Sequence, residues 1–156
     1  MPSLTHDTFT LERHYRAAPD RVFQAFADPV SKAQWFGCVE GWTVVEHRMD
    51  FRVGGHEVWR LGPPGEEVHG NDTTYHDIVP GERIVWSYTM SLGERRISVS
   101  LASLELRAEG GGTRLVLTEH GIFLDGYAGE EERVRGTEML LGNLGRFLER
   151  PTPAQA

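Results

Sequence analysis

From Trp42 to His120 the chain is interrupted at short intervals by turn-forming residues, and the runs between are rich in β-branched and aromatic side chains. The runs are Trp42 to Met49, Phe51 to Leu61, Glu67 to Val79, Arg83 to Met90, Arg95 to Arg107 and Thr113 to His120. The interruptions are Asp50, Gly62-Pro63-Pro64-Gly65, Pro80-Gly81-Glu82, Gly93-Glu94 and Gly110-Gly111-Gly112. A parallel crossover needs a dozen residues or more, so connections this short join antiparallel neighbours. The pattern therefore predicts a six-stranded meander.

The flanks are of a different kind. Residues Phe9 to Arg16 alternate, with Phe9, Leu11, Arg13 and Tyr15 in one phase, and predict a further strand. Pro19 then suits a first helical turn, and Val22, Phe23, Phe26 and Ala27 fall at helical spacing until Asp28-Pro29 stops them. A second short helix is expected through Ala33, Gln34, Trp35 and Phe36, ending near Gly37. At the other end, Tyr127 to Arg150 predicts a helix of about 35 Å, with Val134, Met139, Leu140, Leu144, Phe147 and Leu148 on overlapping i, i+4 stripes. The expected class is α+β: a bent antiparallel sheet of about seven strands around a long C-terminal helix, with two short helices after the first strand. A chain of 156 residues fits one domain, 1–156, with its core over about 8–150.

The order of these elements, read with particular residues, resembles the START-like helix-grip superfamily of polyketide cyclase and lipid-transport domains (SRPBCC). Within it the chain is most similar to bacterial proteins related to the C-terminal domain of the activator of the heat-shock protein 90 ATPase. The residues that carry the likeness are Ala18-Pro19-Asp20-Arg21-Val22-Phe23-Gln24-Ala25-Phe26, Trp35-Phe36 and Asp50-Phe51-Arg52-Val53-Gly54-Gly55. They continue with Asp77-Ile78-Val79-Pro80-Gly81-Glu82-Arg83-Ile84, Gly112-Thr113-Arg114-Leu115 and Gly136 ahead of Met139-Leu140. Such proteins often have a Gly-Trp pair in the last helix, whereas here Gly136 precedes Thr137. The resemblance implies a cavity between sheet and last helix, and no catalytic set that transfers.

The residues themselves agree with a cavity. Ile84, Trp86, Tyr88 and Met90 share one strand phase and face one side together. Tyr88 and Trp86 bring polar tips that need partners when buried, as do Ser98, Ser100, Glu105 and Glu119. Glu119 shares the phase of Leu115 and Leu117; it is read either as an inward carboxylate or as a rim carboxylate paired with an arginine. Asn143 lies on the apolar face of the last helix and either caps a backbone group or reads a ligand. Gly54-Gly55 suggests a bulge in its strand or a close approach, and leaves open which of His56 and Glu57 turns inward ahead of Trp59. The candidate lining set is Trp35, Trp59, Trp86, Tyr88, Met90, Glu119, Met139 and Asn143.

Other classes are disfavoured. A formal charge of −7 gives no basic face for nucleic acid or for an anionic membrane. No metal is expected: His69 and His76 stand seven apart on a strand, hence on opposite faces, and there is no HExxH. No cofactor is expected either, because no P-loop or dinucleotide fingerprint is present. Cys38 is the only cysteine and no secretory or membrane-spanning run appears, so a cytoplasmic protein is expected. The leading expectation is a binding module for a small apolar or amphipathic molecule. A cyclase, dehydratase or hydrolase using the same cavity is the alternative, with Glu119, Tyr88 or a histidine as acid or base. A co-chaperone stimulating a chaperone ATPase is a third. A homodimer through a strand edge or the region near Trp35 and Trp42 is compatible with all three.

Overall fold

The structure is a computed structural model and describes residues 2–126 and 129–151. β1 (Leu4–Tyr15) is followed by α1 (Pro19–Ala27) and α2 (Pro29–Ala33). Then come β2 (Thr43–Met49), β3 (His56–Gly62), β4 (His69–Val79), β5 (Arg83–Leu92), β6 (Arg95–Glu109) and β7 (Gly112–Leu124), and the described chain closes with α3 (Glu130–Glu149). The sheet runs β1-β7-β6-β5-β4-β3-β2, antiparallel throughout. The meander is as the turn spacing predicts, and β1 joins it at the far side against β7. Tyr127 and Ala128, where the last helix is predicted to begin, lie outside the described residues.

Asp28 does double duty at the α1–α2 junction. It ends α1 in an extended conformation, and its Oδ2 accepts from the Ser31 N–H at 3.0 Å and the Ser31 hydroxyl at 2.8 Å, capping α2. Irregular register at Val44/Glu46, Tyr75/Asp77 and Met90/Ser91 bends the strands where a flat ladder would run straight past the helix. α3 is about 30 Å long and opens with Glu130, Glu131 and Glu132, whose charges suit the positive end of a helix. No helix among the described residues is long and apolar enough to cross a membrane.

Four local expectations are corrected. The second short helix, expected through Ala33, Gln34, Trp35 and Phe36, is α2 at Pro29–Ala33, and residues 34–36 form a turn after it. The strand predicted from Phe51 starts only at His56, because Asp50 to Gly55 form a tight turn: the Gly55 N–H donates to the Arg52 carbonyl at 2.8 Å and Gly54 takes φ +82°. A side chain at Gly55 would collide with the Asp50 carbonyl oxygen, so that glycine permits a close backbone approach within a turn rather than a strand bulge. Glu105 is exposed: on β6 the inward phase is Ser98, Ser100, Ala102, Leu104 and Leu106, leaving residue 105 outside. On α3 the buried stripe is Leu141, Leu144 and Leu148, while Met139 is 44% exposed.

Tyr15 joins the two ends of the fold. Its hydroxyl donates to the Leu141 carbonyl of α3 at 2.8 Å, and Gly145 lets the helix lie against its ring. Burial raises the phenol to about 12, against the nearby Arg13 charge, so it stays a donor. Tyr15→Phe is expected to cost about 1 kcal/mol in urea unfolding, the usual worth of one buried hydrogen bond whose acceptor keeps its helical partner. An unchanged denaturation midpoint would show that the bond contributes nothing.

Candidate ligand pocket

Between the concave face of the sheet, the Trp35–Trp42 segment and α3 lies a pocket of about 570 Å³. Alternation on β5 brings Ile84, Trp86, Tyr88 and Met90 to its wall, and β3 adds Glu57, Trp59 and Leu61 in the same way. Phe36, Trp42 and Phe51 contribute further aromatic surface. Glu132 and Met139, both exposed, mark its rim on the α3 side.

Two buried carboxylates interrupt this apolar lining. Glu57 is 1% exposed, and both its oxygens are doubly engaged. Oε1 accepts from Lys32 Nζ at 2.6 Å and the Tyr75 hydroxyl at 2.5 Å; Oε2 accepts from Trp59 Nε1 at 2.7 Å and His47 Nε2 at 3.0 Å. Register explains the assembly: His47 stands opposite Trp59 across β2–β3, their rings stacked at 3.6 Å, and Tyr75 is diagonal to Glu57 across β3–β4. Burial by itself raises the Glu57 carboxyl, but the Lys32 charge and the hydrogen bonds from His47, Lys32 and Tyr75 outweigh it and hold the pKa at about 2. Burial, then the Glu57 charge and hydrogen bond, push the Tyr75 phenol far above its ordinary range and keep it protonated.

Glu119, 3% exposed, is the centre of the second cluster. Its Oε1 accepts from the Tyr88 hydroxyl at 2.8 Å and its Oε2 from Arg133 Nη1 at 3.3 Å. Arg133 also donates to the hydroxyl oxygens of Tyr88 (2.9 Å), Ser100 (3.2 Å) and Ser98 (2.6 Å), and its guanidinium lies 5.2 Å from the Phe123 ring centroid. The two readings of Glu119 thus merge: the carboxylate is inward, and an arginine pairs with it. Burial and the Glu119 charge raise the Tyr88 phenol, with Arg133 acting against them.

Of the eight candidate residues, Trp35, Trp59, Trp86, Tyr88, Met90, Glu119 and Met139 line the pocket. Trp35 is also anchored in the core by its indole N–H, which donates to the Ala25 carbonyl at 2.9 Å. Asn143 is not in the wall: its Nδ2 donates to the Trp35 and Cys38 carbonyls at 3.2 and 3.3 Å, tying the segment after α2 to α3. It caps backbone, as one of its two sequence readings has it. Asn143→Ala is expected to cost about 1–2 kcal/mol and to speed amide exchange over residues 36–40; unchanged exchange there would show that the tie does not hold the segment. Between His56 and Glu57 the inward residue is Glu57, while exposed His56 meets Thr74 at 3.2 Å.

Sequence reasoning missed Lys32, His47, Tyr75 and Arg133. Arg133 carries a signal, since it stands seven, eight and eleven residues before Leu140, Leu141 and Leu144 and so breaks an apolar stripe with a cation. Lys32 sits in a five-residue helix too short to show a period. Among the described residues, no group of three or more His, Cys, Asp or Glu side chains is placed to hold a metal ion.

A bent antiparallel sheet closed by a C-terminal helix, with two short helices after the first strand, defines a START-like helix-grip domain. More particularly, the chain belongs to the family described as activator of Hsp90 ATPase homolog 1-like protein, whose model matches residues 16–149. It is similar to a solved protein of Rhizobium leguminosarum, with 45% identity over 97% of this chain and 99% of that one and a TM-score of 0.92. The Mll3558 protein of Rhizobium loti is 44% identical over 93% and 99% of the two chains, with a TM-score of 0.87. CalU16 of Micromonospora echinospora, 24% identical over 96% and 85% with a TM-score of 0.59, shares the fold. No protein with a curated description matches the chain.

Proposed function

We propose that the protein is a binding module that encloses a small, largely apolar molecule between sheet and α3. The observation that carries this reading is the pairing of an aromatic-walled pocket of about 570 Å³ with polar groups already engaged by one another. Pockets of roughly 300–1,000 Å³, mostly apolar with a few placed polar groups, are the ordinary form of a small-molecule site. Trp86 supplies one such group: its indole N–H has no hydrogen-bond partner among the described residues and suits a ligand oxygen.

The chemistry of the walls favours binding over catalysis. A carboxyl held at about 2 is a poor proton acceptor near neutral pH, and Glu57 has four donors around it already. Glu119 is matched by Arg133. The family description refers to a chaperone ATPase activator, and no observation here favours that contact over the pocket. Titration with 6-propionyl-2-dimethylaminonaphthalene, a neutral ketone whose emission reports apolar surroundings, tests the reading. Saturable binding of one probe per chain with blue-shifted emission is expected; no binding by this probe or by apolar extracts of the host cell would remove it.

A further inference from the structure

The two ion pairs that face the pocket are closed on themselves, and this restricts the ligand. Glu57 and Lys32 lie 2.6 Å apart, with Tyr75, His47 and Trp59 filling the rest of the carboxylate's accepting capacity. Glu119 and Arg133 lie 3.3 Å apart, with Tyr88, Ser98 and Ser100 around the guanidinium. Each carboxylate faces one permanent cation, Lys32 for Glu57 and Arg133 for Glu119. A charged ligand would enter an apolar space whose buried charges, Lys32, Glu57, Glu119 and Arg133, are matched in pairs, and an unmatched charge there is strongly disfavoured. At longer range the formal charge of −7 and Glu132 at the rim also oppose an anion.

Building on the binding reading, we infer that the pocket selects ligands without net charge and discriminates against both anions and cations of the same shape. Selection of this kind acts through the walls rather than through a dedicated recognition group. It follows from two pairs that cannot release a partner without leaving a buried ion behind.

The test is a matched probe set on the intact protein: 6-propionyl-2-dimethylaminonaphthalene and two analogues with a carboxylate or a trimethylammonium at the end of the acyl chain. The neutral probe is expected to bind at least tenfold tighter than either ion. An ionic analogue binding as tightly as the neutral probe overturns the inference and leaves the pocket reading standing; failure of all three to bind overturns both. In Glu119→Gln, whose amide oxygen still accepts from Arg133, the carboxylate analogue is expected to gain at least fivefold relative to the neutral probe. No gain in a variant with a native circular dichroism spectrum would overturn the closed pair as the cause. Should that variant fail to fold, the three-probe comparison on the natural sequence decides.

Discussion

Lys32→Met is expected to destabilise the fold by about 3–5 kcal/mol at pH 7, the cost typical of removing one member of a buried ion pair. Methionine keeps the unbranched stem and fills similar space, so the change isolates the charge. Glu57 would keep the Tyr75, Trp59 and His47 hydrogen bonds but lose the ammonium 2.6 Å from its Oε1. Urea unfolding monitored by tryptophan fluorescence measures the loss. A value below about 1 kcal/mol, the range of exposed pairs, would mean that solvent screens Glu57 after all.

The same substitution has a pH signature with a definite sign. The Glu57 pKa falls from an ordinary 4.5 to about 2 in the folded protein, so on acidification the unfolded chain takes up the proton first. The stability contributed by the ionised group, about 3 kcal/mol, is therefore fully present above about pH 4.5 and is lost as the pH falls through about 2. Without Lys32, burial is opposed only by the remaining hydrogen bonds and the folded pKa rises. A protonated Glu57 needs no counter-charge. The penalty of Lys32→Met should accordingly shrink between pH 7 and pH 3, and a penalty that stays constant across that range would refute the assignment.

The elements were legible because their signals are local. Turn residues at each boundary mark the strands from β2 to β7, and Pro19 and Asp28 mark the start and stop of α1. What failed was phase near irregularities. Gly54-Gly55 disguises a turn as a strand, and the Met90/Ser91 irregularity turns adjacent Ile97 and Ser98 both inward, which no strict alternation on β6 foresees. The pocket's aromatic wall was readable from β5, where the period is clean. Its charged clusters were only half readable: Glu119 is visible by phase, but its partner comes from α3, and Glu57 takes donors from β2, β3, β4 and α2. Partners joined across the sheet by register are set by tertiary pairing, which one chain segment at a time does not display.

Gly136→Phe is expected to weaken binding of 6-propionyl-2-dimethylaminonaphthalene at least tenfold without loss of stability. Gly136 lies within α3 and borders the pocket, and a Cβ added there meets nothing within 4 Å. Glycine inside a helix is less stable than alanine by about 0.5–1 kcal/mol, so the position carries a backbone cost with no packing need in return. Gly136→Ala should therefore raise stability by about that amount while leaving most of the pocket open, and a larger aromatic ring should fill space that a ligand needs. The pair of variants separates two explanations of a lost signal: a fold that has come apart lowers the unfolding midpoint, whereas an occupied pocket does not. If the phenylalanine variant binds the probe as tightly as the natural sequence, the probe sits elsewhere on the surface, and the space between sheet and α3 is packing imperfection rather than a site.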